Sequence, residues 1–294
     1  MASPRLISSI SEMQAAVREL QRAGRMVGLV PTMGALHEGH LSLVRRAKGE
    51  CDASVATIFV NPTQFAPHED FSKYPRTLDA DVQLLASANC DLVFVPSREA
   101  MYPPDASTFI EPPQVALPLE GVFRPGHFRG VATIVLKLFN IIPADRAFFG
   151  QKDFQQALVI RRMAIDLNLP VEVVVCPIIR EPDGLAMSSR NRYLSPNERE
   201  RALALSRALN LVQDQVSRGV RDAIALKQRM QNVLERAGIE RVDYATIADP
   251  ETLAEMTQLE SPAVALIAAF VGTTRLIDNC LLPGPDGRIP MTQG

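Results

Sequence analysis

Met26-Val27-Gly28-Leu29-Val30-Pro31-Thr32-Met33-Gly34-Ala35-Leu36-His37-Glu38-Gly39-His40 is the stretch on which the fold turns. Its first five residues carry no charge, the pattern of a strand buried on both faces. Pro31 and Gly34 then interrupt regular structure, and the chain turns into a helix that opens with two histidines. Residues three apart project from the same side of a first helical turn, so the rings of His37 and His40 are expected together. That turn also carries unpaired backbone N–H groups and the positive end of the helix dipole, which attract an anion. Gly39 leaves room for a nucleotide to approach the backbone between the rings.

Outward from this stretch, short apolar runs alternate with helical patterns. Val55–Val60, Leu92–Val95, Ala147–Phe149 and Val171–Val175 read as strands; Gly39–Lys48, Leu78–Ala88, Gly130–Ile141 and Phe154–Asn168 read as helices. Strand–helix alternation with uncharged strands predicts an α/β fold, a Rossmann-like parallel sheet with helices on both faces. Ligands of such sheets bind beyond the carboxyl ends of the strands, near a switch point. Met101 to Pro125 has prolines at 103, 104, 112, 113, 118 and 125 and reads as irregular loop with short edge strands. Around residue 180 the character changes. Pro196–Gln215 and Val220–Ala237 read as long amphipathic helices, Val242–Ala248 and Ala263–Val271 as strands, and the rest as a Pro/Gly-rich tail. The expected organisation is a Rossmann-like domain over 1–180 and a smaller α+β C-terminal domain over 181–294.

The 294 residues are 47% hydrophobic and 22% charged, enough apolar material for a sizeable core. A formal charge of −2 implies no basic surface for nucleic acid. Cys51, Cys90, Cys176 and Cys280 lie far apart and form no CxxC pair, which suits reduced thiols rather than a disulfide or zinc framework. Met1 to Ile10 lacks the apolar stretch of a signal peptide, and the longest apolar run, Ala263 to Val271, is too short to span a bilayer. A soluble cytoplasmic protein with no membrane partner is expected.

Four further motifs bear on chemistry. In Gly150-Gln151-Lys152-Asp153 a lysine at a strand end can neutralise phosphate charge, Gly150 permits close approach, and Asp153 can cap the next helix. Gln156 lies three residues on, where it and Asp153 can face one pocket. Met187-Ser188-Ser189-Arg190-Asn191 joins two hydroxyls, backbone N–H groups and a guanidinium into a mobile anion clamp. Asn61-Pro62-Thr63-Gln64-Phe65 ends a strand in amides, which suit the hydroxyls or carboxylate of a small polar substrate. Arg124-Pro125-Gly126-His127-Phe128-Arg129 is basic and adjoins the Pro-rich segment. Each has a plainer reading. The histidines cap and pack a helix start, Lys152 and Asp153 pair at the surface, and Ser188–Arg190 is an ordinary polar loop. Glu69, Asp79 and Asp81 suit helix-start charge and solvated surface better than metal ligation. His68 and His127 stand without a third ligand, so no protein-only metal site is expected. Together, however, a histidine pair, a lysine and a Ser-Ser-Arg loop are the parts needed to hold a triphosphate along its length.

The runs Val30–His40, Phe59–Phe65, Phe149–Gln156 and Gly184–Asn191 closely resemble the pantoate–β-alanine ligase family, within the nucleotidyltransferase superfamily that carries an HxGH motif. The histidine pair is shared with many nucleotidyltransferases and class I aminoacyl-tRNA synthetases; the glutamine-containing runs are more specific. Gln151 stands where many members carry Glu. The resemblance implies ATP-dependent condensation of (R)-pantoate with β-alanine through a pantoyl-adenylate, releasing pyrophosphate and then AMP. It implies that Met33, Gly34, Ala35, Leu36, His37, Glu38, Gly39 and His40 line the ATP site, as do Gly150, Gln151, Lys152, Asp153, Ile179, Met187, Ser188, Ser189 and Arg190. His37 would donate a proton toward the leaving group and His40 contact the phosphates. Lys152 would stabilise the reacting phosphate, Ser188, Ser189 and Arg190 grip the β- and γ-phosphates, and Asp153 bond ribose. Gln64 and Gln156 would hold pantoate, with Asn61 and Arg124 on the same substrate side and Gln64 bordering β-alanine. Mg²⁺ would arrive with ATP, on phosphates and water. The C-terminal domain would close as a lid over a hydrolysable adenylate, and the protein would be a homodimer. The rivals are a nucleotidyltransferase acting on a phosphorylated substrate and a catalytically inert ATP sensor. An aminoacyl-tRNA synthetase fails for want of positive charge and a tRNA-binding extension.

Overall fold

The computed structural model describes residues 3–66 and 69–290; His68 lies outside the described residues. Two compact units divide the chain. One comprises the residues up to Gly150 together with Gln155–Cys176, the other Gln151–Phe154 together with the chain from Pro177.

In the first unit, strands β1 (Arg5–Ile7), β2 (Val27–Thr32), β3 (Ala53–Ile58), β4 (Leu92–Phe94), β5 (Arg146–Gly150) and β6 (Glu172–Cys176) form one sheet in the order β1-β4-β3-β2-β5-β6. Every neighbouring pair is parallel. The connections contain helices α1 (Ile10–Arg22), α2 (Glu38–Glu50), α3 (Leu78–Ser87), α4 (Arg98–Met101), α5 (Glu120–Phe123), α6 (His127–Ile141) and α7 (Phe154–Asp166). Successive strand residues face opposite sides of a sheet, and the uncharged strands use both. Leu29, Val55, Phe94 and Ala147 enter one core with Met13 and Val17 of α1, Val131 of α6 and Ile160 of α7. Val30, Ala56, Val93 and Phe148 enter the other with Leu41 and Val44 of α2 and Leu85 of α3. Each of the larger of these side chains contributes about 1.5–3 kcal/mol on burial, so both faces must be covered. From β2 the chain steps to β3 on one side and later sets β5 on the other, which makes the β2/β5 boundary the switch point. Thr32, at the end of β2, leads directly into the histidine motif.

β1 and α1 were not anticipated. β1 has three residues with only Ile7 buried, and α1 turns a narrow stripe of Met13, Ala16 and Val17 inward. The Pro-rich segment forms no edge strand; Gln114–Ala116 is a 3-10 turn and Glu120–Phe123 is α5. Proline removes the N–H a ladder needs, and Gln155 takes over the segment's backbone. Its Nε2 donates to the carbonyls of Val115 (2.9 Å) and Pro118 (2.7 Å), and its Oε1 accepts from the Glu120 N–H (3.0 Å).

In the second unit, α8 (Pro196–Ser217) and α9 (Ala223–Arg236) cover an antiparallel sheet of β7 (Arg241–Ala248), β8 (Ala263–Val271) and β9 (Thr274–Leu282), in the order β7-β8-β9. α8 starts with a capping box: Ser195 Oγ accepts from Glu198 N (3.3 Å) and Glu198 Oε2 from Ser195 N (2.8 Å), with Pro196 in the first turn. β9 occupies part of what reads in sequence as tail. Val271 pairs with Thr274, leaving Gly272-Thr273 as a two-residue hairpin loop with Gly272 at φ +59°. No described helix is long and apolar enough to cross a membrane.

Candidate active site

The two histidines interlock. His37 is the N-cap of α2 and its Nδ1 accepts from Gly39 N at 3.2 Å; His40 Nδ1 accepts from His37 N at 3.3 Å. A ring nitrogen that accepts a hydrogen bond carries no proton. Each neutral ring is therefore the tautomer with its proton on Nε2, and both present that N–H as a donor. Their centroids are 4.1 Å apart. Glu38 accepts from Arg45, which holds its carboxyl below the ordinary range and offsets its charge beside an anion-attracting helix end.

The turn before the helix is strained and externally held. Gly34 has φ +81° and Ala35 φ +50°, a left-handed conformation that a residue with a Cβ enters at a cost. Asp81 of α3, only 1% exposed, accepts from Ala35 N (3.0 Å), Leu36 N (2.8 Å) and Thr77 Oγ1 (3.2 Å). Asp81 is thus no solvated helix-start charge but the anchor of the histidine turn. The signal was its spacing, one turn before Leu85 on the buried face of α3.

Asn61 and Gln64 flank the 3-10 turn Pro62–Gln64 after β3. Asn61 is 1% exposed and its amide is committed. Oδ1 accepts from Tyr102 OH and Thr63 Oγ1, both at 2.9 Å, while Nδ2 donates to the Gly130 carbonyl (3.2 Å) and to Gln64 Oε1 (3.0 Å). A carbonyl can only accept, so the Gly130 contact fixes the orientation of both amides. Gln64 Nε2 is then the outward group, 3.1 Å from Met33 Sδ. Asn61 sits beneath Gln64 with both ends of its own amide taken up by protein groups. Gly130 must lack a side chain, because a Cβ there would stand 2.3 Å from the Thr63 carbonyl oxygen. A cavity of about 200 Å³ adjoins the turn, lined by Gln64, Phe109, His127, Arg129 and Gly130 among others.

Arg124 is enclosed by protein groups. It donates to both oxygens of Glu69, at 2.6 and 3.0 Å, lies 3.7 Å from Glu120, and contacts His127 Nε2 at 3.1 Å. Glu69 is accordingly an ion-pair partner and not solvated surface. The pKa of His127, a residue 8% exposed, is pushed down to about 4 by burial and the Arg124 charge. Gln156 sits half-buried on α7.

The second unit holds the other motifs. Gln151–Asp153 is a 3-10 turn that Asn279 of β9 clasps: Asn279 Nδ2 donates to the carbonyls of Gln151 (2.9 Å) and Lys152 (3.0 Å), and its Oδ1 accepts from Gln151 Nε2 (3.0 Å). Lys152 Nζ is 3.8 Å from Asp153 Oδ2, too long for a committed pair. Met187 N donates to the Ile179 carbonyl at 3.0 Å, closing a loop across the Arg180–Ala186 bridge. Arg180 inside that loop pairs with buried Asp278 at 2.7 and 3.0 Å; burial raises the Asp278 carboxyl, against the pull of Arg180. Ser188 caps the 3-10 turn Ser189–Tyr193 by accepting from Arg190 N (3.3 Å), and Asn191 donates to Glu181 (2.7 Å) and to the Ala186 carbonyl (3.0 Å). Asn279 and Asp278 were missed in the sequence, where β9 was hidden in the tail. Among the described residues no three His, Cys, Asp or Glu side chains converge as a metal site.

Chemically, the first unit offers paired imidazole N–H donors at a helix N-terminus and an oriented amide; the second offers a lysine and a Ser-Ser-Arg turn. The Pantoate-beta-alanine ligase family model matches residues 5–281. The chain is 56% identical over 278 residues to a pantothenate synthetase of Roseiflexus castenholzii, covering 95% of this chain and 99% of that one. It is 53% identical over 278 residues to a pantothenate synthetase of Thermotoga neapolitana, again covering 95% and 99%. A crystal structure of pantothenate synthetase from Thermus thermophilus superposes with a TM-score of 0.89 at 44% identity, over 94% of this chain and 98% of that one. A structure of pantoate-beta-alanine ligase from Francisella tularensis, complexed with beta-gamma ATP and beta-alanine, gives 0.79 at 35% identity, over 95% and 98%. A match spanning nearly every strand and every motif above leaves one conclusion: the chain belongs to the pantoate–β-alanine ligase family.

Proposed function

We propose that this chain is an ATP-dependent, amide-bond-forming ligase that joins (R)-pantoate to β-alanine. One observation carries this function: the family match runs from residue 5 to residue 281 and takes in all four motif runs. The reaction proceeds through a pantoyl-adenylate. The pantoate carboxylate attacks the α-phosphorus of ATP, the bond to pyrophosphate breaks, and the β-alanine amine then displaces AMP from the acyl carbon. The first step requires reactants held in line and charge neutralised on the leaving pyrophosphate.

Geometry supports the roles of the two histidines and of Gln64, and the family resemblance supports the others. The Nε2–H groups of His37 and His40 donate to phosphate oxygens, His37 serving the leaving group, and the α2 N-terminus adds its dipole. Lys152 neutralises charge at the reacting phosphate, while Ser188, Ser189 and Arg190 grip the β- and γ-phosphates. Met33, Gly150, Asp153, Ile179 and Met187 take the adenosine. Gln64, presenting Nε2–H, donates to pantoate oxygens together with Gln156. Mg²⁺ would arrive with ATP, on phosphate oxygens and water rather than on protein ligands, and would add to the charge neutralisation of the phosphates. Cytoplasmic residence and a homodimeric assembly belong to the same proposal, and sedimentation equilibrium tests the latter.

The test is pantoate-dependent exchange of labelled pyrophosphate into ATP without β-alanine, for the wild type and Lys152→Ala. Exchange that needs pantoate and collapses in the variant is expected. Tight ATP binding without exchange would overturn the ligase function and favour a nucleotidyltransferase or an ATP sensor.

A further inference from the structure

Beside the amide of Gln64 lies a chain of buried polar groups that the reaction does not itself use. Glu69 accepts two hydrogen bonds from Arg124, at 2.6 and 3.0 Å, with the two side chains only 16% and 17% exposed. Arg124 Nη1 then lies 3.1 Å from His127 Nε2, and His127 Nδ1 lies 2.8 Å from the backbone carbonyl oxygen of Gln64. The direction of this chain follows from chemistry. A guanidinium has no acceptor, so Arg124 donates to Nε2. Nε2 therefore carries no proton in that contact, and the ring's proton is on Nδ1, which donates to Gln64. Burial and the neighbouring Arg124 keep the ring neutral, with Glu69 and Glu120 opposing them more weakly. Arg124 is the source of the chain: it donates on one side to the Glu69 carboxylate, which holds it in place, and on the other to His127, which donates in turn to the Gln64 carbonyl.

Gln64 is thus gripped at both ends. Asn61 fixes its side-chain amide at 3.0 Å and His127 fixes its carbonyl at 2.8 Å. The turn that carries it is already pressed against α6, where Gly130 admits no Cβ. A glutamine whose backbone could rotate would lose the direction of its outward N–H, and a side chain of three rotatable bonds contributes little to recognition unless its freedom is removed beforehand.

We propose that His127 is a positioning residue for Gln64, held by the Glu69–Arg124 pair, and that this chain sets recognition of the hydroxy-acid substrate. The assignment rests on the ligase function proposed above. Arg124 accordingly acts on substrate through His127 and Gln64, not by touching it.

Replacement of His127 separates the hydrogen bond from mere packing. Asparagine places an amide N–H near the position of Nδ1 and can still donate to Gln64; glutamine reaches the position of Nε2 and cannot; leucine fills space only. Steady-state kinetics with pantoate and with ATP varied, on variants whose melting temperatures show a folded chain, give the readout. His127→Gln and His127→Leu are expected to raise the pantoate KM about tenfold, with the ATP KM changed less than about twofold and His127→Asn restored to within about threefold of wild type. An unchanged pantoate KM in His127→Gln and His127→Leu would overturn the assignment, as would equal rises for pantoate and ATP in all three variants. Should both fail to fold, Glu69→Gln, which leaves the ring in place, decides. A rise in pantoate KM alone supports the chain, and no rise overturns it. A wild type that forms no amide from pantoate and β-alanine would instead overturn the ligase function itself, an outcome visible before any variant is made.

Discussion

Replacing Asp81 tests how the histidine turn is held. Its carboxylate accepts from two consecutive backbone N–H groups, Ala35 at 3.0 Å and Leu36 at 2.8 Å, from a position 1% exposed. Hydrogen bonds to a charged acceptor are worth about 1.5–3 kcal/mol each, so Asp81→Ala loses about 3–6 kcal/mol across the two. Against a total stability of about 5–15 kcal/mol this is a large fraction, and the variant sits near the edge of folding. Asp81→Asn keeps the volume and one acceptor oxygen but turns an amino group toward a donor, and is expected to lose about half as much. Ala35 at φ +50° is the residue with most to gain by relaxing. Once it relaxes, His37 and His40, two and five residues on, no longer present their Nε2–H groups together. Urea unfolding followed by circular dichroism gives the stability, and titration calorimetry of the Asn variant gives the ATP affinity. The expected result is lowered stability in both variants and at least about tenfold weaker ATP binding in Asp81→Asn. Loss of less than about 1 kcal/mol in Asp81→Ala would refute the anchoring role. So would destabilised variants that bind ATP as the wild type does.

Asn279→Leu removes the clasp on the Gln151–Lys152 carbonyls while keeping a side chain of similar size on the strand. Pyrophosphate exchange is expected to fall about tenfold or more with pantoate KM little changed, and rescue of the rate by Asn279→Gln would oppose a positional role because its amide reaches a different point. His127 makes stability depend on pH. Its folded pKa of about 4 lies below the ordinary 6.5, so between those values the unfolded chain binds the proton and the folded one does not. Its contribution is therefore present above pH 6.5 and is lost progressively as pH falls toward 4, a loss of about 3 kcal/mol in all. Denaturant unfolding at pH 7 and pH 4.5 should show a smaller acid loss in His127→Asn than in the wild type. Equal losses would mean that His127 titrates as it does in water.

The sheet class and the local settings of the histidine, amide and Ser-Ser-Arg runs were legible because each is local. A turn after an uncharged strand, a helix start and a residue type at a fixed spacing are properties of a few consecutive residues. What brings distant residues to those runs was not legible. Asp81 and Glu69 read as surface acids, since nothing within their own segments says that a buried N–H or a guanidinium awaits them. Asn61 and Arg124 read as substrate contacts, since an amide or guanidinium near a site has the same letter whether it faces solvent or a carbonyl. β9 read as tail because its hairpin partner, not its own composition, makes it a strand.

The sequence by itself determined a parallel α/β sheet with helices on both faces, a second α+β region, and the polar motif runs by which the chain's family is recognised. These follow from hydrophobic periodicity and from the chemistry of particular side chains, which the chain carries before it folds. Only the tertiary structure decided which polar side chains are hands and which are wrists: Gln64 presented by Asn61 and His127, the histidine turn held by Asp81, and the Lys152 turn held by Asn279. The physical reason is that a buried hydrogen-bonding group must find a partner, and the partners lie far away in sequence at positions fixed by the packing of the cores.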